Sequence, residues 1–445
     1  MVKNFFVLNS IFLIRCSIVS LNIYIYTSNY PVLKLAIFAN GIVSRKIGGA
    51  QKHMREVIEI LPKFHEIYFF PEPQMFGNSD IIDFKFIKDL NSKGVRISRY
   101  FMENYKLKPE IKSIIKNYSN EIRGCDLIYD MDFQYFLDNL KFGGELSLKL
   151  SNANKIKLGV CIQDIGDISS HFFKTFSNVI KFSKMAKGIS WFIAVAGFYN
   201  LINRKITVRK LISGNNLSLI TVINSEYEKN VRINFKNIYT LNPSNAIDTE
   251  IKKYHSKEKY DQIIFYARLI YQKGLFDVLY IHKKITESYN IKLKISGKFQ
   301  RGFEKNEFTR IIKKLDLEDK VEYLGVLSDD KLYTELARSK LMVYPTHSDS
   351  FSISVLQALF LHVPVVAYDI PGLSLYKNFK SVSLAREFDM NSMAKMALKF
   401  LNSHEQLFDD LELNEFIEKH LDWKYVADSH LSAINRIIDN HKNSF

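Results

Sequence analysis

The chain has 445 residues, which is long for one domain and enough for two domains that each bury a core. Hydrophobic residues make up 47% and charged residues 24% of the sequence, values that are typical of globular proteins and exclude a largely disordered chain. The three cysteines, Cys16, Cys125 and Cys161, lie far apart, which argues against a disulfide framework or a zinc site and favours a reducing compartment.

The net charge of +15 is almost entirely carried by the first half of the chain. Residues 1–242 hold 33 Lys/Arg and 19 Asp/Glu, a balance of +14, whereas residues 243–445 hold 29 and 28, a balance of +1. A positive field attracts phosphates, whether in nucleic acid, in anionic lipid or in a diphosphate-linked substrate. Charge alone does not choose among these partners, and it also fits an ordinary solvated basic surface.

The first segment, residues 1–31, is predicted to be an extension. Residues 5–26 are rich in Phe, Ile, Leu and Val, but Arg15 and several Asn and Ser interrupt the run. A membrane helix would bury Arg15 at a cost of about 2.5–3.5 kcal/mol, and a signal peptide would need a cleaner apolar core and a small-residue cleavage site. We therefore predict an extension ahead of a globular domain that opens near Val32, with a signal anchor as the alternative.

From Val32, short apolar runs alternate with helical patterns, which is typical of βαβ units and parallel sheets. The first strand, 33–39, ends in the loop 40–48, and a helix then runs from Gly49 to about Leu61. Further strands are predicted at 66–70, 126–130, 156–162, 217–224 and 237–241. Residues 32–242 are thus predicted to form a Rossmann-like domain.

A basic stretch, residues 168–225, contains no Asp or Glu. Its cations are Lys174, Lys181, Lys184, Lys187, Arg204, Lys205, Arg209 and Lys210, and the aromatic residues between them are Phe172, Phe173, Phe176, Phe182, Trp191, Phe192, Phe198 and Tyr199. This mixture suits an anionic membrane surface and also single-stranded nucleic acid. We rank membrane or lipid-acceptor contact first, a solvated helix pair second and nucleic acid last. This ranking predicts a cytoplasmic protein that lies peripherally on the membrane.

A turn-rich segment, 242–248, is predicted to link this domain to a second one. The second βα series begins near Gln262, with strands predicted at 263–267, 292–296, 321–324, 341–344 and 363–367. An apolar stripe that faces a core follows at helical spacing, formed by Phe308, Ile311, Ile312 and Leu315. Residues 243–405 are predicted to form a second Rossmann-like domain, and amphipathic helices in 406–445 to pack back across both domains. Open α/β sheets bind ligands at the carboxyl ends of their strands, so a cleft between two such domains predicts a substrate-binding enzyme.

Polar residues and glycines follow the first two strands of the second domain. Arg268 and Lys273 come after the first strand. Arg supplies a planar fork of donors and Lys a point charge, the pair expected for a diphosphate. Gly297 ends the second strand, where a glycine allows a ligand close to the backbone.

A small-residue loop after the fourth strand leads into a helix that is predicted to begin near Ser352. The N–H groups of Ser352, Ile353 and Ser354, together with the positive end of the helix dipole, predict a phosphate site. The segment 369–372, Asp-Ile-Pro-Gly, closes the loop beyond the next strand.

The order of these motifs resembles the retaining glycosyltransferases of family 4, which have the two-domain GT-B fold. Besides the Arg–Lys–Gly run and Gly297, the likeness rests on a polar pair eight residues apart and on the Pro-Val-Val-Ala run at 364–367. In the first domain, the pair Gly48 and Gly49 matches the family's glycines that open the first helix, and 243–248 resembles its linker. The likeness spans roughly residues 33–435 and is most specific in the second domain.

The resemblance implies an α/β enzyme with two Rossmann-like domains that moves a sugar, with retention, from a nucleotide-diphosphate sugar to a glycan, lipid-linked or polysaccharide acceptor. Arg268 and Lys273 would neutralise the donor diphosphate, which the N–H groups at 352–354 would also hold. Gly49 would let the first domain's backbone approach the donor. No cofactor and no divalent metal are implied, because Arg and Lys stabilise the leaving group directly.

The sequence departs from the family pattern at its polar pair. The family has two glutamates there, and this chain has Asp349 and Gln357. Asp349 keeps the charge on a shorter stem and would face the donor sugar as the catalytic residue. Gln357 would accept hydrogen bonds from the ribose through its amide oxygen, without a charge-assisted gain. Gln163 also replaces a frequent family histidine, so a non-catalytic sugar-nucleotide-binding or assembly subunit remains the alternative function.

Each of these residues also has an ordinary structural interpretation. Asp349 could cap the following helix, Gln357 could be an exposed helix residue, and Gly49 could serve packing alone. We predict that His53, His171 and His347 are polar surface or loop residues rather than catalytic bases.

Overall fold

The structure is a computed structural model that describes residues 31–45, 48–133, 145–163, 211, 213–230, 235, 237–256, 258–300, 302–403 and 406–442. In these residues the chain forms two parallel β-sheets with helices between their strands, one sheet of seven strands and one of six. This arrangement confirms the predicted α/β fold with two Rossmann-like units.

The first sheet has the strand order β3-β2-β1-β4-β5-β6-β7. Strands β1–β7 lie at Lys34–Phe38, Glu66–Phe69, Val95–Ile97, Leu127–Asp130, Lys157–Ile162, Leu217–Val222 and Ile238–Thr240. Every neighbouring pair is parallel, so the carboxyl ends of these strands lie at one edge of the sheet.

The second sheet has the order β10-β9-β8-β11-β12-β13 and is also parallel throughout. Strands β8–β13 lie at Tyr260–Tyr266, Lys292–Ser296, Val321–Gly325, Ser339–Tyr344, Val365–Tyr368 and Val382–Ala385. The two sheets thus lie on either side of the predicted linker 242–248.

The helices of the described residues are labelled α1–α13 in chain order. They lie at Gly49–Ile60, Phe84–Ser92, Arg99–Asn104, Ile111–Glu121, Glu145–Asn154, Ser225–Asn230, Asp277–Thr286, Gly302–Lys314, Asp329–Arg338, Ile353–Phe360, Met390–Asn402, Leu411–Lys419 and Trp423–Lys442. Helix α8 buries Phe308 and Ile311 and partly buries Ile312, and Leu315 directly after the helix is also partly buried, which confirms the predicted apolar stripe. Among the residues described, no helix is long and apolar enough to cross a membrane.

All predicted strands are present, and two further strands were missed. Strand β3 has three residues with an exposed arginine at its centre, and β13 has four residues of which two are half-buried. Both lie at sheet edges, where one side of the strand has no neighbour to bury it. The short apolar runs that reveal a central strand are therefore lacking in these two.

The C-terminal helix α13 packs against α1 and β6 of the first sheet. Its Trp423 donates through Nε1 to a carboxylate oxygen of Asp248 in the linker at 3.2 Å, and the Lys52 ammonium on α1 pairs with the same side chain. The hydroxyl of Ser429 accepts the backbone N–H of Asn242 at 2.9 Å. The linker, the first helix and the last helix are thus joined.

A buried chain of hydrogen bonds crosses this junction. His53 Nδ1 lies 3.2 Å from Asn245 Oδ1, and His53 Nε2 lies 2.9 Å from His430 Nε2. The hydroxyl of Tyr129 on β4 lies 2.7 Å from His430 Nδ1. Burial lowers the pKa of His53 to about 4 and that of His430 well below its usual value, so both rings are neutral. The prediction that His53 is a surface or loop residue was wrong.

Several predictions fall on residues outside this description. These are the extension at 1–31 apart from its last residue, His171, and the basic stretch 168–225 up to residue 210 together with residue 212.

Candidate functional site

Arg268 and Lys273 both lie in the turn after β8. The Arg268 side chain is exposed and has no hydrogen-bond or ion-pair partner among the described residues. The Lys273 ammonium donates to the carbonyl oxygen of Ser348 at 2.7 Å and to Asp349 Oδ2 at 3.0 Å. Arg268 and Lys273 form the predicted diphosphate clamp. Lys273 is thus bound to the loop that carries Asp349, and Arg268 faces solvent.

Asp349 lies in the loop between β11 and α10 and is mostly buried. Its Oδ2 accepts from Lys273 and from the Tyr344 hydroxyl at 2.8 Å, and its Oδ1 accepts the N–H of Ser350 at 3.0 Å. Burial, and then the Asp349 charge, raise the pKa of Tyr344 well above its usual value, so this hydroxyl stays a donor. Asp349 is not the cap of α10, because the Ser352 side chain caps that helix by accepting the N–H of Val355.

The start of α10 presents unpaired backbone donors. Within the described part of the chain, the N–H groups of Ser352, Ile353 and Ser354 donate to no acceptor. They lie at the positive end of the helix dipole and can bind an oxyanion. These groups and Asp349 belong to one loop-and-helix unit, and Lys273 contacts Asp349 from the turn after β8.

The first domain meets this unit at Gly49, the first residue of α1. A β-carbon at Gly49 would lie 3.5 Å from Cδ1 of Ile353, so the N-termini of α1 and α10 approach each other. The domains also touch where Asn224, after β6, donates through Nδ2 to the carbonyl oxygen of Pro371 at 2.9 Å. The two sheets therefore contact each other through loops at the carboxyl ends of their strands, where ligands of open α/β sheets bind.

Two glycines allow backbone segments to approach closely. Gly297 has φ of +145°, and an added β-carbon would lie 1.9 Å from the carbonyl oxygen of Ala267. At Gly372, an added β-carbon would lie 1.8 Å from the carbonyl oxygen of Asp349. Gly297 thus has a packing reason beside its predicted ligand role, and Gly372 supports the backbone that carries Asp349.

We expect Gly372→Ala to displace the Asp349 backbone, because a methyl group cannot occupy the space 1.8 Å from a carbonyl oxygen. The variant should lose roughly 1–3 kcal/mol of unfolding free energy, as overpacking usually costs, and most of its turnover. Urea unfolding and donor turnover check both effects. Gly302→Ala is the matched control, because a β-carbon there meets no heavy atom within 4 Å; equal effects of the two substitutions would contradict the prediction.

Gln357 is half-buried between two tyrosines rather than exposed on its helix. Its Oε1 accepts from the Tyr266 hydroxyl at 2.8 Å, and its Nε2 donates to the Tyr333 hydroxyl at 3.0 Å. Burial raises the pKa of both tyrosines, that of Tyr266 well above its usual value. The amide is therefore oriented, with its oxygen towards β8 and its nitrogen towards α9.

His347 lies in the loop after β11, as predicted, but it is not a surface residue, because only 1% of its side chain is exposed. Its ring lies between the carboxylates of Asp277 and Glu387. The sequence held no signal for this contact, since the partners lie 70 and 40 residues away in the chain.

Carboxyl groups at the edge of the first sheet were also missed. Glu72 follows β2, and its Oε1 accepts the N–H of Gly41 after β1. Burial raises its pKa to about 8, with a further contribution from Asp132 and Asp130. Burial likewise raises the pKa of Asp130, at the end of β4, to about 6. A protonated Glu72 can donate a hydrogen bond at neutral pH. The sequence alone does not indicate this, because the raised pKa depends on burial in the fold.

The described residues contain no group of three or more His, Cys, Asp or Glu side chains arranged to hold a metal ion. The candidate site combines two cations, oriented backbone N–H groups and one carboxylate. The cations and the N–H groups can stabilise a developing diphosphate charge.

Known proteins resemble this chain in sequence over part of its length. Residues 246–410 match the sequence family described as glycosyl transferases group 1. An uncharacterized glycosyltransferase of Methanocaldococcus jannaschii is 32% identical over 111 residues, a match that spans 25% of this chain and only 28% of the relative.

Solved structures share the fold over most of the chain. A glycosyltransferase from Rickettsia africae has a TM-score of 0.62 at 12% identity, covering 92% of this chain and 100% of that one. Sucrose-phosphate synthase from Thermosynechococcus elongatus has a TM-score of 0.61 at 13% identity, covering 92% and 100%. HepE from Anabaena, in complex with UDP and glucose, has a TM-score of 0.57 at 14% identity, covering 91% and 99%. These likenesses confirm the predicted GT-B fold.

Proposed function

We propose that this chain, whose residues 246–410 match the glycosyl transferases group 1 family, moves a sugar from a nucleotide-diphosphate donor to an acceptor, with retention and without a divalent metal. One observation carries the proposal. Lys273, Asp349 and the N–H groups that open α10, which have no acceptor among the described residues, lie together beside Gly49 of the first domain.

Each part has a defined role in the proposed reaction. Lys273, Arg268 and the N–H groups of 352–354 hold the diphosphate and stabilise its charge as the sugar leaves. Asp349 faces the donor sugar, and Gln357 holds the ribose. The first domain receives the acceptor, a glycan, lipid-linked sugar or polysaccharide. Glu72 lies at the ligand-binding edge of that domain and can hydrogen-bond an acceptor hydroxyl.

A thermal-shift panel of nucleotide-diphosphate sugars tests the donor class, because a ligand that binds only the folded state raises its stability. A donor present at a hundredfold excess over its Kd stabilises by about 2.7 kcal/mol. UDP-glucose is a rational first probe, since HepE was solved with UDP and with UDP-glucose. Absence of any shift across the panel would contradict the proposed donor site.

The second candidate is a non-catalytic sugar-nucleotide-binding or assembly subunit with the same fold. Gln357 favours this candidate, because its side chain is uncharged and already hydrogen-bonds two tyrosines. Binding without turnover, measured as a thermal shift without release of nucleoside diphosphate, would favour this candidate.

Substitution of Gln357 tests its ribose role. Gln357→Glu should bind the nucleotide as tightly as the wild type or up to about tenfold more tightly, because a carboxylate accepts stronger hydrogen bonds. Gln357→Leu should weaken binding by roughly tenfold, since it removes the acceptor. Calorimetric titration with UDP measures both; a leucine variant of wild-type affinity would remove Gln357 from the site.

The basic stretch 168–225 supports a proposal of peripheral membrane contact through its charge and aromatic content alone. Each cation near an anionic surface contributes about 1 kcal/mol, and salt screens this contribution while leaving apolar contact intact. A chain that begins at Val32 should float with anionic vesicles, weaken at high salt, and release when Lys181, Lys184 and Lys187 become Glu. Neutral vesicles are the control, and failure to bind anionic vesicles at low salt would leave only a solvated surface.

A further inference from the structure

His347 joins the loop that carries Asp349 to three other elements of the second domain. Its Nε2 lies 3.0 Å from Asp277 Oδ2 at the start of α7, and its Nδ1 lies 2.9 Å from Glu387 Oε1 after β13. The hydroxyl of Tyr368, which ends β12, donates to the same Asp277 oxygen at 2.7 Å. The side chains of His347, Asp277 and Glu387 are 1%, 3% and 9% exposed.

Two carboxylates on one imidazole require a proton on each ring nitrogen. A neutral imidazole has only one N–H, so it could serve only one of them. Burial lowers the pKa of His347, but the hydrogen bonds and charges of Asp277 and Glu387 outweigh this and raise it. The charged ring lies between two buried carboxylates and offsets their negative charge.

The backbone of the same residue is tied to the donor site. The N–H of His347 donates to the carbonyl oxygen of Gln272 at 2.9 Å, next to Lys273. The following carbonyl, that of Ser348, accepts from the Lys273 ammonium, and the next side chain is Asp349. Hydrogen bonds at residues 347, 348 and 349 thus hold the turn that carries Lys273 against the loop that carries Asp349.

We propose that His347 is a positioning residue, whose buried cation between Asp277 and Glu387 holds loop 346–350 so that Lys273 and Asp349 face the donor. This inference rests on the proposed function for its effect on turnover. The inference that His347 stabilises the loop conformation rests on the contacts alone. His347 does not touch the donor, because both of its ring nitrogens are occupied by carboxylates.

His347→Gln tests the proposal, because glutamine can reach one carboxylate but carries no charge. We expect backbone amides of residues 346–352 to exchange with deuterium at least tenfold faster in this variant. With UDP-glucose or the sugar nucleotide that the thermal-shift panel selects, kcat should fall roughly 10- to 100-fold, since a small misplacement of reacting groups costs this much. Affinity for UDP, which lacks the sugar, should change less than about threefold.

Two further variants separate positioning from loss of folding. The double variant His347→Gln, Glu387→Gln removes one buried carboxylate with the cation, so it should recover slow exchange in the loop and most of kcat. His255→Gln makes the same substitution at an exposed histidine of this domain and should change neither. All measurements are made on folded protein, well below each variant's melting temperature.

Unchanged exchange at 346–352 in His347→Gln would overturn the proposal, and so would faster exchange with unchanged kcat. If the wild type binds and turns over no sugar nucleotide, the proposed function fails. Exchange then still decides whether His347 holds the loop, since faster exchange in the single variant and recovery in the double variant support it and any other pattern overturns it.

Discussion

Lys273→Met is expected to lower kcat/KM for the sugar nucleotide by about 10²- to 10³-fold, the usual cost of losing one donor to a developing negative charge. Methionine keeps the apolar stem of the side chain but removes the ammonium. The Lys273 side chain is 13% exposed, and its ammonium lies 3.0 Å from Asp349 Oδ2. The ammonium is thus partly desolvated, which strengthens its charge interactions.

Steady-state kinetics with the preferred sugar nucleotide measure the loss. Lys313→Met is the matched control, because this lysine is exposed on α8 away from the loop of Asp349. Arg268→Ala gives a second test of the clamp. Arg268 is exposed and its side chain has no partner among the described residues, so its removal should weaken donor binding without unfolding the protein. Wild-type kinetics in both clamp variants would contradict the placement of the diphosphate.

The second large effect is a loss of stability in acid that depends on His53 and His430. Both are neutral when folded, because burial lowers the pKa of His53 to about 4 and that of His430 well below its usual value. An unfolded histidine titrates near 6.5, so between these values the unfolded chain binds more protons. Stability is therefore full above about pH 6.5 and falls as the pH drops towards the folded pKa values.

The expected size follows from 1.36 kcal/mol for each unit of pKa shift. Between pH 7 and pH 5, His53 should remove roughly 2 kcal/mol of unfolding free energy, and His430 should add a loss in the same direction. Urea unfolding of the wild type and of His53→Gln, His430→Gln at both pH values measures the difference. Subtraction cancels groups common to both proteins, such as Glu72. A double variant with the same pH dependence as the wild type would show that these histidines do not contribute.

The strands of both sheets could be predicted because central parallel strands are buried on both faces and appear as continuous apolar runs. Strand β12 is such a case, with all four residues buried. The loop and helix from Tyr344 to Gln357 could also be located, because their residues lie close together in the chain. Their role in donor binding stays a prediction.

The contacts that failed to appear in the sequence join distant residues. His53 and His430 are 377 positions apart, and Tyr129 lies 301 positions from His430. A lone histidine has the same appearance on a surface and in a core, because only its neighbours decide its burial. The close approach of Gly372 to the Asp349 backbone could not be predicted either, because a glycine in a sequence does not indicate which backbone segment it contacts.

The course of the last helix has a consequence for attempts to recombine this protein with its relatives. Helix α13 follows the second domain in the chain, yet its Ser429 and His430 contact the linker and the first domain. A hybrid that exchanges the first domain by a single crossover near residue 242 would pair α13 with a foreign α1. Exchange of the first domain therefore requires two crossovers, one in the linker and one before Trp423, so that the helix travels with the sheet it covers.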